Sequence, residues 1–329
     1  MATPPNPLIS AQAMEARAAD QLPTDPGWWF EPKWDGFRCL AFRQAGEVSL
    51  RAKSGKSLTR YFPEVVALLE TISEPQFVLD GELLIAIAGS FSFEALQMRL
   101  HPAQSRIQRL SAETPAQLAV FDMLQAPDGA DLRALPHRRR HQALAAFVKR
   151  HARPGLSLTP GTEDLATAQG WLDEGRLEGV VAKRRDGPYA EGERAMIKVK
   201  RRRTADCVVG GFRYGKDSKL VGSLLLGLYD DAGRLNHVGF TSGLAGVEKG
   251  ELTRQLEDLA GGPGFTGDAP GGPSRWSTER SNTWTPLKPA MVVEVSFDHV
   301  SAGRLRHGAK LIRFRPDKAP RQCQMDQIA

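Results

Sequence analysis

Lys33 lies in EPKWDGFR (31–38), where a basic residue is followed by Asp and Gly. On local grounds a surface turn at a strand end is the commoner explanation of such a segment. The chemical explanation is a nucleophilic lysine, whose amine must lose its proton to attack, a state favoured by burial or by neighbouring cations. Arg38, Lys198 and Lys200 are the cations that could serve if the fold gathers them. Glu82 stands in VLDGELL (78–84), an otherwise apolar run. It is either exposed beside a hairpin turn at Asp80-Gly81 or a buried carboxylate that needs a hydroxyl, a cation or a metal. Phe121 interrupts the strand-like AVFDML (119–124) with Asp122. A core phenylalanine is the commoner reading there, and a platform for a base the alternative.

In EGVVAKR (178–184) strand alternation puts Glu178, Val180 and Ala182 on one face and Val181 and Lys183 on the other. In MIKVKRRR (196–203) Lys198 and Lys200 are two apart, so both amines point the same way on a strand. Like charges so placed are unfavourable unless an anion sits between them. RLRHGAKLIRFRPDKAPR (304–321) holds seven Lys and Arg and one acid, a solvated basic face or a nucleic-acid patch.

The elements that must position these residues fall into two groups. GEVSLRAKS (46–54), FVLDGELLIAIA (77–88), QLAVFDMLQ (117–125) and LEGVVAKRR (177–185) read as strands, and PEVVALLETI (63–72) and HRRRHQALAAFVKRH (137–151) as helices. After residue 203 several short strands follow, two of them flanking the turn signal DDAG, with one helix near 245–260 and a Gly/Pro-rich loop at 261–275. That texture suggests a small antiparallel barrel. At 329 residues the chain exceeds one ordinary core, so the expectation is an α/β domain over 1–203 and a β-barrel domain over 204–329. A content of 41% hydrophobic and 25% charged residues excludes global disorder. No apolar run reaches the roughly 20 residues of a membrane helix. The opening MATPPNPLISAQAMEARAAD has no basic start before an apolar block, so no secretory signal is expected, and the expected compartment is the cytoplasm. Cys39, Cys207 and Cys323 lie too far apart for a C-x-x-C pair, which argues against a disulfide framework or a zinc site. A net charge of +6 leans only weakly toward a polyanionic partner.

Taken together, the order and spacing are specific. K-x-D-G, then D-G-E 47 residues on, then F-D, E-G-V-V-x-K, K-x-K and R-P-D-K resembles the covalent nucleotidyltransferase superfamily. Within it the chain is similar to ATP-dependent DNA ligases, from about residue 20 to 320, and LRAKSGKSLTRYFPEV (50–65) looks like their R-x-x-x-G-K-x-L-T-x-x-F-P stretch. The C-terminal texture, including VGSLLLGLYDDAGRLNHVGFTSG and RPDK followed by APRQC, resembles the small bacterial repair ligases of the ligase C group.

The resemblance implies a mixed α/β adenylyltransferase domain followed by an OB-fold, an α+β chain with a hinge near 200–206. It implies that Lys33 attacks the α-phosphate of ATP and carries AMP, which passes to the 5′-phosphate of a nick before the 3′-hydroxyl seals it. By the same likeness Glu31 contacts adenine through its backbone and Phe121 stacks on it. Arg38 and Glu82 match ribose-binding positions, and Arg51 the arginine that reads the nick's 5′-phosphate. Glu178 matches the metal-binding carboxylate, with Glu82 a second contact, and Lys198 and Lys200 the pair on the α-phosphate. Arg315, Asp317 and Lys318 match the R-x-D-K group that orients the leaving pyrophosphate. Implied with these are ATP and Mg²⁺, with Mn²⁺ able to substitute, and nicked duplex DNA as partner. A repair polymerase or end-binding protein as associate, a monomeric state and no membrane association complete the expectation.

Two departures stand out. Met196 occupies a position where relatives often carry an aromatic residue, and the segment before K-x-K is short, which leaves Arg194 without an assigned role. By the resemblance no counterpart of the clamping domain that precedes this region in larger ligases is expected, and Arg201, Arg202 and Arg203 are expected to help grip DNA through phosphates. Two rivals remain open at this level: an RNA ligase or GTP-using capping enzyme, and a nucleotide-sensing DNA-binding module with a dead site.

Overall fold

Two β-sheets carry the first of the chain's two units, Met1–Arg201. The structure is a computed structural model that describes residues 11–174, 177–201, 203–244, 246–271, 283–298, 300–301, 303–305 and 308–328. The strands of the first unit are β1 (Ala16–Ala19), β2 (Trp28–Lys33), β3 (Phe37–Gln44), β4 (Glu47–Ala52), β5 (Phe77–Leu84), the short pair β6 (Ala86–Ile87) and β7 (Ser90–Phe91), β8 (Gln117–Gln125), β9 (Leu156–Leu158), β10 (Gly179–Arg184) and β11 (Met196–Lys200). One sheet runs β1-β11-β10-β2 and the other β4-β3-β5-β8-β9.

Period-two alternation assigns each strand residue to a layer. In the five-stranded sheet Leu50, Leu79, Val120 and Met123 point away from the smaller sheet, into a core closed by Val65 and Leu69 of α1 (Pro63–Glu70) and Leu144 and Phe147 of α4 (His137–Arg150), with α2 (Phe93–Arg99) and α3 (Gln104–Glu113) between them in sequence. In the four-stranded sheet Phe30, Val180, Ala182 and Ile197 pack on α5 (Leu165–Asp173). Asp164 caps that helix, its carboxylate accepting from the Thr167 N–H at 2.9 Å. The remaining faces of the two sheets meet through Leu40, Phe42, Val78 and Leu124 on one side and Met196 and Val181 on the other. Asp80-Gly81 is no turn: β5 runs straight through it, and a Cβ on Gly81 would come within 2.7 Å of the Ala119 carbonyl on β8.

The second unit, Arg202–Ala329, is β-rich. Its sheet runs β14 (Leu235–Thr241), β13 (Val221–Tyr229), β12 (Arg203–Tyr214), β16 (Val292–Phe297) and β19 (Lys310–Phe314), with β15 (Thr285–Pro286) also pairing β12 and β17 (Val300–Ser301) pairing β18 (Arg304–Leu305). The two outer strands approach each other, since the Ala309 N–H donates to the Phe240 carbonyl at 2.8 Å and Gly243 bridges Lys310. The sheet therefore curls into an OB-like barrel around Val208, Leu224, Leu226 and Val293, with α6 (Lys249–Asp258) contributing Leu252 and Leu256. The DDAG turn joins β13 to β14, and Gly233 takes the left-handed conformation (φ 73°) that the turn requires. The Gly/Pro-rich loop lies in the described residues only as far as 271, and Arg202 lies outside them. No helix among the described residues is long and apolar enough to cross a membrane.

Candidate active site

A cavity of about 200 Å³ opens between the two sheets of the first unit. Its lining includes Glu31, Lys33, Arg38, Glu82, Phe121 and Lys198, six residues singled out in the sequence. Alternation explains the gathering: Glu31 and Lys33 on β2, Lys198 on β11, Arg38 on β3 and Glu82 on β5 all lie on the inter-sheet faces.

Lys33 ends β2, and the register aligns it with Gly179, which is aligned on its other side with Lys200 of β11. Glu178, one residue before β10, places its carboxylate between these two neighbours. It accepts a hydrogen bond from Lys33 Nζ and pairs with Lys200 Nζ at 3.0 Å. Burial alone would raise the Glu178 carboxyl, but Lys33 and then Lys200 more than offset that and hold it below the usual range. Lys198 is also pushed downward, by burial and by the charges of Lys33 and Lys200. Glu178 thus supplies an anion to Lys200, the second lysine of K-x-K. Alternation misplaced it, because it sits at a bend outside the strand and its side chain is free of the strand's two-faced order.

Deeper in the cavity is Glu31, 2% exposed. Its carboxylate pairs with Lys183 Nζ at 2.6 Å and accepts from Trp29 Nε1 at 3.0 Å. Burial pushes the Glu31 carboxyl up, against the pull of Lys183. Lys183 also donates to the Phe121 carbonyl at 3.1 Å and lies 4.5 Å from that ring's centroid. Phe121 reaches the cavity through a β-bulge: the register runs from Asp80↔Asp122 to Gly81↔Val120 and skips it. A bulge re-aims a side chain in this way. Asp122, next to it, is buried and forms a two-toothed pair with Arg140, Oδ1 to Nε at 2.8 Å and Oδ2 to Nη2 at 3.0 Å.

Arg38 is held from below. Asp80, fully buried, takes its Nε and Nη2 at 2.5 Å each, and Arg38 Nη2 also donates to the Met14 carbonyl at 3.2 Å. Tyr189 donates its hydroxyl to Asp80 and accepts from the Met14 N–H at 2.9 Å. Burial and the Asp80 charge push the Tyr189 hydroxyl up, so it remains a donor. Arg38 stacks 4.5 Å over the Phe121 ring. Glu82, aligned with Arg38 across the β3–β5 pair, has its carboxyl pushed up to about 7 by burial, against the pull of Arg38 and Lys33.

Other candidates lie elsewhere. Arg51, on β4, stacks 5.0 Å over Phe42 and is not among the cavity-lining residues. Arg194 is largely exposed and reaches Glu15 at 3.7 Å. Arg203 stacks on Phe297 at 5.3 Å in the second unit. Arg315, Asp317 and Lys318 form their own cluster there: Asp317 takes the Nε and Nη2 of Arg315, and Asp206 takes Arg315 Nη1 at 2.8 Å and Lys318 at 3.3 Å. Sequence reasoning misses Asp80, Tyr189, Lys53 and Glu15. Asp80 has a signal, a carboxylate in an apolar run; Tyr189 has none.

Chemically, the cavity combines an amine, four further cationic side chains and an aromatic face, a setting for a polyanionic purine nucleotide. Glu178 and Glu82 offer hard oxygen donors. Mg²⁺ keeps several waters and needs only one or two carboxylates beside substrate phosphates, so these residues fit such an ion, although no cluster of three or more metal-ligating side chains occurs among the described residues.

Residues 10–200 match the family model described as ATP dependent DNA ligase domain, and residues 217–318 the ATP dependent DNA ligase C terminal region. DNA ligase C1 of Mycolicibacterium smegmatis is 42% identical, covering 96% of this chain and 93% of that protein. The multifunctional non-homologous end joining DNA repair protein LigD of Mycobacterium tuberculosis is 32% identical over 89% of this chain and 37% of its own length. A solved structure of mycobacterial DNA ligase D complexed with ATP and MES superimposes with a TM-score of 0.52 at 29% identity, covering 96% of this chain and 98% of that one. The fold is that of a nucleotidyltransferase, an α/β domain followed by an OB-like domain. The chain belongs to the ATP-dependent DNA ligase family, as a small bacterial member. It is an enzyme that uses ATP and a metal ion to seal nicked DNA.

Proposed function

We propose that Lys33 is the nucleophile of this ligase, and that the observation carrying the assignment is its amine at the cavity lip, oriented by Glu178 and flanked by Lys198 and Lys200. Lys33 Nζ forms a bond to the α-phosphorus of ATP as the bond from that phosphorus to the pyrophosphate oxygen breaks. The amine loses a proton, and pyrophosphate departs. An oxygen of the nick's 5′-phosphate then bonds to that phosphorus as its bond to Lys33 Nζ breaks. Attack by the 3′-hydroxyl on the 5′-phosphate forms the phosphodiester as the anhydride bond to AMP breaks and AMP leaves. Lys198 and Lys200 balance the charge that spreads over the phosphoryl oxygens. Phe121 stacks on the base, Glu31 marks its edge, and Arg38 with Glu82 holds the ribose. Arg315, Asp317 and Lys318 orient the leaving pyrophosphate, and Arg51 reads the nick's 5′-phosphate.

Mg²⁺, with Mn²⁺ able to replace it, is the metal of this reading, held by Glu178 and in part by Glu82; when bound it neutralises phosphate charge. Domains of 1–203 and 204–329 and the cytosol as compartment belong to the same reading. A role in DNA repair, beside a repair polymerase or end-binding protein, draws on the likeness to the end-joining relative. The test is intact mass after incubation with ATP or GTP and Mg²⁺, followed by nicked DNA. An AMP adduct that disappears on sealing supports the reading. A GMP adduct, or an AMP adduct that never reaches DNA, overturns it.

A further inference from the structure

Asp206 does not line the cavity described above, yet it is the hub of the R-x-D-K cluster. Its side chain is 12% exposed and accepts from Arg315 Nη1 at 2.8 Å and pairs with Lys318 Nζ at 3.3 Å. Its backbone is gripped as well. The Asp206 N–H donates to Gln327 Oε1 at 2.9 Å, and Gln327 Nε2 donates to the Asp206 carbonyl at 3.2 Å. A carboxamide carries the same donor and acceptor as a peptide group, so Gln327 acts as one rung of a missing strand beside β12, whose pairing with β13 begins only at Val208. The segment bearing Gln327 is anchored in turn: Cys323 and Ile328 are buried in the barrel core, and the Tyr229 N–H donates to the Cys323 carbonyl at 2.8 Å.

We infer that Asp206, braced by Gln327 of the C-terminal segment, is a positioning residue that holds Arg315 and Lys318 side by side as one pyrophosphate-orienting unit. Two cations bound for the same anion repel each other, and a half-buried carboxylate between them removes that penalty and limits their rotamers. The inference rests on the proposed role of Arg315 and Lys318 in ATP-dependent self-adenylylation.

The test measures self-adenylylation with ATP and, separately, sealing of a nick already carrying 5′-AMP, for the full chain and for Asp206→Asn, Gln327→Ala, Arg315→Ala and the Asp206→Asn/Arg315→Ala double variant. Loss of a charge-assisted hydrogen bond predicts that Asp206→Asn slows self-adenylylation about ten- to a hundredfold and spares sealing. Gln327→Ala shows a smaller loss with the same selectivity, and Asp206→Asn costs little more once Arg315 is gone. If Arg315→Ala slows self-adenylylation while Asp206→Asn and Gln327→Ala leave it unchanged, the hub role is wrong and the R-x-D-K reading survives. If both Asp206→Asn and Gln327→Ala reduce the two steps equally, the residues are merely structural and the inference falls. If Arg315→Ala itself adenylylates normally, the leaving-group reading fails and the inference with it. Should Asp206→Asn not fold, Gln327→Ala decides alone by the same criterion.

Discussion

Lys33 and Lys200 lie on strands either side of β10, both aligned with Gly179, and share the carboxylate of Glu178. The two amines are thus held near one anion by the chain's own packing. An incoming polyanion meets a preorganised pair of cations instead of having to collect them, which is the arrangement electrostatic catalysis requires.

Lys33→Ala removes the amine proposed to attack ATP. No AMP remains covalently attached after incubation with ATP and Mg²⁺, as read by intact mass. In the unmodified chain the adduct is acid-labile and base-stable, because the phosphoramidate nitrogen must be protonated to leave. An adduct on the Lys33→Ala protein rules out Lys33 as nucleophile.

Gly179→Ala forces a Cβ to within 2.2 Å of the Val199 carbonyl oxygen and 2.9 Å of Lys200 Cα, both backbone atoms that cannot swing aside. The β10–β11 pair must spread, at a cost of about 1–3 kcal/mol. The urea midpoint drops, and self-adenylylation falls further than stability alone explains, because Lys200 moves away from Glu178. An alanine variant as stable and as active as the unmodified chain contradicts this register.

Glu82 and Glu178 respond to pH in opposite directions. Burial lifts the Glu82 carboxyl to about 7 in the folded chain, from 4.5. Between those values the folded state holds a proton the unfolded state has lost, so this group's stability contribution is present at low pH and is lost as pH rises toward 7. Glu178 is lowered, so its contribution is present at neutral pH and lost on acidification. Thermal unfolding across pH 2–8 should show Glu82→Gln flattening the decline toward pH 7, and Glu178→Gln flattening the acid limb below pH 4.5. Identical profiles for both variants would refute the assignment of opposite shifts.

Arg51→Ala tests the proposed reader of the 5′-phosphate. Neutralising one phosphate contact flattens the slope of log affinity against log salt by roughly 0.9 on duplex DNA. Arg51→Ala should also erase the preference for a phosphorylated over an unphosphorylated nick, whereas Arg201→Ala or Arg203→Ala should weaken binding to both alike. Salt titrations of nick binding with both DNA forms measure this. Undiminished discrimination by Arg51→Ala removes it from the site.

Much of the site is legible in the amino-acid sequence, because alternation is a local property of extended backbone. It sorts Val181 and Lys183 from Val180 and Ala182 correctly, and it places Lys198 and Lys200 together on one face of β11. The order of K-x-D-G, D-G-E, E-G-V-V-x-K and K-x-K carries the chemistry and the family. Tertiary structure decides the rest. Glu178 joins the lysines because it lies one residue beyond the strand, where two-faced order no longer applies. Phe121 enters the cavity because a bulge skips it in the register, and a bulge depends on the partner strand. Arg38 is aimed by Asp80 and Tyr189, and Asp206 is gripped by Gln327 121 residues away. Sequence period tells which face a side chain takes, but only the packing of distant segments determines which polar groups share that face, since each buried group must find its partner wherever the chain returns.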